Sequence, residues 1–298
     1  MNDSRVTPAL DRRRLVVIFN PTAGRRRGKA LAHAMHLLEG RADITHRRTM
    51  ARGDAEVFAR ETLPGSIALV AGGDGTANEV ANGLLAAGGG EMAIIPLGTA
   101  NVLAAELGIL NIAGAADAAA TGSLLTYRPG LANGRGFLLM AGVGFDAHVV
   151  ASVSPRLKRL IGKGAYVVET LRQLARFSFP RYRATVDGVV HEAASVIVAR
   201  GHFYGGRFVV APEASLDSDE LHVCLFHRGG RLQTIYYALA LAAGRLHRSR
   251  HVEIIKAKRV TIEGPVGDPV QGDGDLIGQL PVTIELSQTS IGLRQPLS

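Results

Sequence analysis

The chain has 298 residues, a hydrophobic share of 47% and a formal net charge of +8. That length and apolar content suffice for two folded units with their own cores, and the basic excess favours an anionic partner such as nucleotide phosphates or acidic lipid headgroups. Aromatics make up only 5% with no tryptophan, which leaves little material for stacking on single-stranded nucleic acid, and the lone Cys224 excludes an intrachain disulfide.

Met1 to Arg14 is polar and basic without an apolar centre, so no secretory signal is expected there. Leu15-Val16-Val17-Ile18-Phe19 predicts a buried strand, ended by Asn20-Pro21-Thr22-Ala23-Gly24. An arginine run begins at Arg25, and a helix to about Leu38 follows it. A strand near Ile44 to Arg48 ends at Thr49, and Gly53-Asp54 opens a helix through Glu61. Ile67 to Ala71 is another short buried strand. It stops at Gly72-Gly73-Asp74-Gly75-Thr76, where Thr76 is expected to open a helix with Glu79 at capping-box spacing. Met92 to Ile95 repeats the pattern and ends at Pro96-Leu97-Gly98-Thr99-Ala100-Asn101. Helices to Leu107 and from Ile112 to Ala119 complete this half. Strands alternating with helices predict a parallel α/β sheet, and ligands of such sheets bind at the carboxyl ends of the strands.

The Gly72–Asn78 stretch is the most informative of these ends. Backbone N–H groups and the helix dipole converge on one point there, which suits an anion. Glycine permits close backbone approach to the ligand. Asp74 is the anomaly, because a carboxylate repels phosphate unless a cation lies between them or its task is to take a proton. That combination suggests phosphoryl transfer with Mg²⁺.

After about Leu124 the pattern changes to strands. Leu124 to Leu131, Gly136 to Gly142, Tyr182 to Val186, Val189 to Ala199, Leu221 to Phe226, Val252 to Ile262 and Val282 to Leu286 are each expected as one strand of a mostly antiparallel half. Helices over Pro155 to Phe177 and Arg231 to Leu246 interrupt them. The longest apolar helical run, Ile235 to Ala243, is far shorter than the roughly 20 residues that span a bilayer.

Gly72-Gly73-Asp74-Gly75-Thr76, followed by Asn78-Glu79 and Asn82-Gly83, resembles the signature of the diacylglycerol kinase catalytic-domain family. Asn20-Pro21-Thr22-Ala23-Gly24, Pro96 to Asn101, Ala141 to Asp146, Gly162 to Tyr166 and Asp273-Gly274-Asp275 match further family motifs in order. The resemblance implies an α/β fold with an N-terminal Rossmann-like nucleotide domain over 1–128 and a C-terminal antiparallel β-sandwich over 129–287. A tail over 288–298 follows, with its return to the first domain left open. It implies ATP and Mg²⁺ as cofactors and a lipid hydroxyl as acceptor: diacylglycerol, ceramide, a sphingoid base or phosphatidylglycerol.

By motif, Asn20, Arg25, Thr49, Gly72, Gly73, Asp74, Gly75, Thr76, Asn78, Thr99 and Asp273 would line the nucleotide site. Arg26 and Arg27 are expected as solvated members of the arginine run. Asp275 stands where the family has a glutamate that acts as general base, and Asp74 is the acid linked to Mg²⁺. Whether Asp74 or Asp275 accepts the proton stays open. Family members also carry a structural metal in the stretch matching Pro212 to Leu221. Here Ser218 occupies the aspartate position, so either Asp217 or Asp219 holds that metal or the stretch is an acidic surface turn. Expected partners are a lipid presented at a membrane surface and no nucleic acid. The expected location is cytoplasmic, at the inner membrane face, with assembly into a homodimer left open. Pro155 to Lys163 reads equally as a membrane-surface contact or as an ordinary amphipathic helix. A kinase of NAD and an inactive lipid-binding protein on the same fold are the competing readings.

Overall fold

The computed structural model describes residues 12–20, 25–153 and 164–297. Four strands build the first sheet in the order β2-β1-β3-β4, all parallel: β1 (Arg13–Phe19), β2 (Ala42–Arg48), β3 (Ser66–Gly72) and β4 (Glu91–Pro96). Ser66 to Ala71 of β3 is buried throughout, as a central strand covered on both faces must be. The covering helices are α1 (Arg25–Leu38), α2 (Asp54–Arg60), α3 (Asp74–Ala86), α4 (Val102–Glu106) and α5 (Ile112–Thr121). Helix α2 packs on α3 and α1 on α5.

The sheet is completed from the far end of the chain. Strand β20 (Ile291–Gln295) lies parallel to β4 and antiparallel to β5 (Ser123–Tyr127). Arg294 Nε donates to the Glu91 carboxylate at 2.9 Å and ties β20 to β4.

The second half is a sandwich of two six-stranded antiparallel sheets. One runs β10-β9-β16-β19-β6-β7 and the other β15-β14-β11-β8-β17-β18. The first comprises β6 (Gly130–Ala132), β7 (Arg135–Phe137), β9 (Tyr182–Val186), β10 (Val189–Ala193), β16 (Arg259–Glu263) and β19 (Val282–Leu286). The second comprises β8 (Met140–Val143), β11 (Ser195–Ala199), β14 (Leu221–Phe226), β15 (Val252–Ala257), β17 (Pro269–Gly272) and β18 (Asp275–Gln279). Val186, Val260 and Ile284 of one sheet share a core with Val196, Val223 and Val270 of the other. A small hairpin, β12 (Phe203–Tyr204) with β13 (Phe208–Val209), and helices α6 (Phe145–Ser152), α7 (Gly164–Arg176) and α8 (Arg231–Ala242) lie outside the two sheets. Among the described residues no helix is long and apolar enough to cross a membrane.

Several expected strands are divided. Val189 to Ala199 becomes β10 and β11, which belong to different sheets, and Val252 to Ile262 becomes β15 and β16 in the same way. Leu124 to Leu131 leaves the first sheet at Arg128 and enters the sandwich as β6. Gly136 to Gly142 likewise divides into β7 and β8. Passing from one sheet to the next is a change of pairing partner, which local composition does not specify. One start also moves. Helix α3 begins at Asp74 rather than Thr76, with Gly73 as its N-cap. The motif over Ala141 to Asp146 is the end of β8 followed by the start of α6 at Phe145. Helix α8 stops at Ala242, before the expected Leu246. The stretches Pro21 to Gly24 and Pro155 to Lys163 lie outside the described residues.

Candidate active site

Three loops meet at the carboxyl ends of β2, β3 and β4. Thr49, just past β2, donates its N–H and its Oγ1 to the Phe19 carbonyl, at 2.9 and 3.3 Å, and so fixes the end of β1 where exposed Asn20 follows. The loop after β4 closes on itself. Asn101 Oδ1 accepts from the Gly98 N–H at 2.7 Å, and Asn101 Nδ2 donates to the Gly98 carbonyl at 3.0 Å. The loops after β3 and β4 touch glycine on glycine. A Cβ built on Gly73 would stand 2.9 Å from Gly98 Cα, so neither position tolerates a side chain without moving the other.

Asp74 is half-buried in the first turn of α3, and its Oδ1 accepts from the Leu103 N–H at 3.2 Å. Desolvation raises its pKa, against the lowering effect of backbone hydrogen bonds from Leu103 and its neighbours. Thr76 is the third residue of α3, with its side chain folded back over Gly72, where a Cβ would come within 2.8 Å of it. The expected capping box around Thr76 is therefore not what starts this helix.

The turn Asp273-Gly274-Asp275, between β17 and β18, is brought against this loop. A Cβ on Gly75 would lie 3.4 Å from Asp275 Oδ2. Arg52 NH2 reaches the same oxygen at 3.6 Å, from the loop before α2. Arg27, expected in solvent, is exposed and also donates from NH2 to Thr99 Oγ1 at 3.4 Å. Arg25 opens α1, and its side chain lies outside the described residues. The site thus gathers Asp74, Gly75, Asp275 and Arg52 from opposite ends of the sequence.

Two residues expected at the nucleotide are held by internal hydrogen bonds. Asp273 is an internal brace. Its carboxylate accepts the N–H groups of Leu138, Leu139 and Met140, at 2.6, 2.8 and 3.1 Å, and Asn78 Nδ2 at 2.8 Å. These four donors fill the acceptor capacity of a carboxylate. Asn78 also donates to the Gly136 carbonyl at 3.1 Å, and Asn82 brackets Gly136 from both sides, donating to its carbonyl at 3.0 Å and accepting its N–H at 2.9 Å. Buried Asn78 and Asn82 therefore hook α3 onto β7.

A second layer, not assigned a role from sequence, supports the Asp275 turn. The Gly274 N–H donates to Gln271 Oε1 at 3.0 Å, and Gln271 Nε2 donates to Asp146 Oδ2 at 3.1 Å. Burial pushes the Asp146 carboxyl up to about 6, and its Oδ1 is buried without a hydrogen-bond partner. Tyr166 Oη, from α7, donates to the Gly274 carbonyl at 3.3 Å. Asp146 lies within the family-like stretch Ala141 to Asp146, but nothing in sequence placed it beside Gln271.

The residues present treat the two expected metals differently. At the glycine loop, Asp74 is desolvated and has no Lys or Arg ion pair among the described residues. A Mg²⁺ held mainly by phosphates needs only one or two carboxylates, and Asp74 fits that demand. The turn from Pro212 to Leu221 does not fit a metal. The Arg200 guanidinium already occupies its carbonyls, donating from NH2 to Leu216 at 3.0 Å and from NH1 to Glu220 at 2.8 Å. Asp219 pairs with Arg128 NH1 at 3.4 Å, and Asp217 accepts from the Ser215 hydroxyl. Among the described residues no group of three or more His, Cys, Asp or Glu side chains could hold a metal ion.

Comparison with known proteins matches this arrangement over nearly the whole chain. Residues 14–130 match the diacylglycerol kinase catalytic domain, and residues 140–293 match the YegS C-terminal NAD kinase beta sandwich-like domain. The diacylglycerol kinase of Bacillus subtilis is 30% identical over 279 residues, which is 90% of this chain and 92% of that one. A "probable lipid kinase YegS-like" protein of Pseudomonas aeruginosa is 36% identical over 227 residues, 71% of each chain. The crystal structure of a "putative diacylglycerol kinase" from Bacillus anthracis superposes with a TM-score of 0.79 at 26% identity, covering 99% of this chain and 98% of that one. The chain belongs to the family of lipid kinases built on the diacylglycerol kinase catalytic domain.

Proposed function

We propose that this kinase moves the γ-phosphoryl group of ATP, with Mg²⁺, to a hydroxyl of diacylglycerol or of a related lipid. The observation that carries the reading is the approach of Asp275 to Gly75 at the N-terminus of α3. An acceptor hydroxyl between that carboxylate and a phosphate on the glycine loop would lie within reach of both. Asp275 takes the hydroxyl proton as the oxygen forms its bond to the γ-phosphorus, and the bond to the β-phosphate oxygen breaks in line, releasing ADP. The N–H groups at the start of α3 and the glycine backbone bind the phosphates. Arg27 and Arg52, at the rim, balance their charge. Mg²⁺, when bound at Asp74, supplies neutralisation of charge on the phosphate oxygens.

The test is transfer of labelled phosphate from ATP to a panel of diacylglycerol, ceramide, a sphingoid base, phosphatidylglycerol and NAD. Transfer to one or more of the lipids with none to NAD is the expected result. Transfer to NAD alone would overturn it. Asp74→Asn is expected to abolish transfer while leaving the thermal midpoint at or above that of the parent protein, since it removes a desolvated charge. Near-normal turnover in that variant would remove Asp74 from the site. The location that follows is the inner face of the membrane, where both ATP and lipid are at hand.

A further inference from the structure

From Leu232 onward, helix α8 (Arg231–Ala242) presents an outer face with no charged group. From Leu232 to Gly244 the sequence runs thirteen residues without an acid or a base. Tyr237 and Leu241 turn inward onto the core, with Tyr237 edge-on to Phe226 at 5.0 Å between ring centroids. Leu232, Ile235, Tyr236 and Leu239 share the opposite face at helical spacing. Leu232 is 84% exposed and Leu239 66%. No residue of the helix is buried. An ordinary surface helix is charged on this side, so the face lacks a partner that water does not supply.

The charges flanking the helix say what that partner is. Arg228 and Arg231 stand at its start, and Arg245, Arg248 and Arg250 follow its end, all exposed. Among the described residues none of these five arginines forms an ion pair with a carboxylate. No acidic residue occurs in the sequence between Glu220 and Glu253. A second copy of the chain is a poor occupant on these grounds. A two-fold pairing of α8 with itself sets arginines against arginines whether the helices run parallel or antiparallel, with no acid to meet them. An anionic bilayer satisfies every group at once. The apolar face enters the acyl boundary, and the arginines stay at the headgroups.

The geometry points to the outer face of α8 as the surface that docks this kinase on anionic membrane lipid. The helix also bears on the active site, since Arg231 NH2 donates to the Ala175 carbonyl at 2.8 Å near the end of α7, the helix that carries Tyr166. The inference deepens the lipid-kinase reading by naming its membrane partner. Its test needs no turnover, so its failure would leave that reading intact.

The experiment is co-sedimentation with vesicles of phosphatidylcholine alone and of phosphatidylcholine containing phosphatidylglycerol, without ATP. Binding to the anionic vesicles is expected, falling as salt rises. Leu232→Ser with Leu239→Ser, and separately Arg245→Gln with Arg248→Gln, should each weaken that binding at least ten-fold. Both pairs are exposed, and transfer to a short-chain, water-soluble acceptor should stay at the parent rate. Vesicle binding unchanged in both paired variants would overturn the proposal. So would a dimer by light scattering that the Leu232→Ser, Leu239→Ser pair converts to monomer, because the face would then belong to a second copy.

Discussion

Asp275 and Asp146 show how one turn is set up for chemistry by two carboxylates in different surroundings. Asp275 faces the glycine loop and is shared with Arg52 at 3.6 Å. In its proposed role of proton acceptor it is expected to supply about 10²–10⁴-fold in rate. Asp275→Asn should therefore lower kcat by that factor with the KM for ATP little changed, and steady-state kinetics reads both. Asp275→Glu restores the carboxylate and should recover part of the loss, whereas an inert Glu variant beside an equally inert Asn variant would argue for a role in shape alone. Asp146 behaves differently, because burial raises its carboxyl to about 6. An acid whose folded pKa lies above its unfolded value holds its proton more tightly when folded. Its contribution to stability is thus greatest below about pH 4 and declines as pH rises to about 6, beyond which it is flat. Asp146→Asn removes that decline. The variant should match the parent near about pH 4 and exceed it at neutral pH by up to about 3 kcal/mol, measured by urea unfolding across the range. Parallel stability curves for the two proteins would show that Asp146 does not titrate in this window.

At the scale of elements, the strand–loop–helix units were legible because their demands fall on residue type. A loop that must approach both a ligand and another loop requires glycine, and Gly72, Gly73, Gly75 and Gly98 are conspicuous in sequence for that reason. The contact between two such loops was not legible. Gly98 meets Gly73 across the ends of β3 and β4, and a Cβ on Gly98 would stand 2.5 Å from Gly73 Cα and 2.6 Å from Asn101 Oδ1. Gly98→Ala must push the loops apart. A strain of about 1–3 kcal/mol is expected, together with a rise in the KM for ATP out of proportion to the loss of stability. Thermal melting and ATP titration of the same variant separate the two effects, and an unchanged KM would mean that the loops do not jointly hold the nucleotide. The sandwich was legible as a class but not in its corners. Ala194 and Lys258 each separate two strands of different sheets within what reads as a single run. A corner needs only a change of partner, and partners are not written in local composition. The start of α3 at Asp74 was missed for a related reason. Thr76 and Glu79 have the spacing of a cap, but Gly73 in extended conformation already provides the boundary three residues earlier.

The whole molecule depends on contacts between groups far apart in sequence, which no local pattern reveals. Asn78 and Asp273 are 195 residues apart and hydrogen-bonded at 2.8 Å. Through them α3 of the first sheet, the segment from Leu138 to Met140 and the turn after β17 become one unit, and that unit sets where Asp275 stands relative to Gly75. The family motif drew attention to Asp273-Gly274-Asp275 as a whole but did not divide the labour within it. The structure divides it, with one acid facing inward onto backbone N–H groups and the other facing the loop that opens α3. The contrast yields a paired test. Asp273→Ala leaves the N–H groups of Leu138, Leu139 and Met140 without their acceptor. At about 1–3 kcal/mol for each unsatisfied buried group, and with water able to reach some of them, a loss of roughly 3 kcal/mol or more is expected. Turnover should fall with it, because the turn is no longer fixed to α3. Asp275→Ala removes a side chain that faces the cleft, so unfolding should change by less than about 1 kcal/mol while transfer is lost. Chemical denaturation and phosphate transfer measured on both variants give four numbers with a definite pattern. A stable, inactive Asp273→Ala protein would mean that this acid serves the chemistry after all, and would return it to the nucleotide.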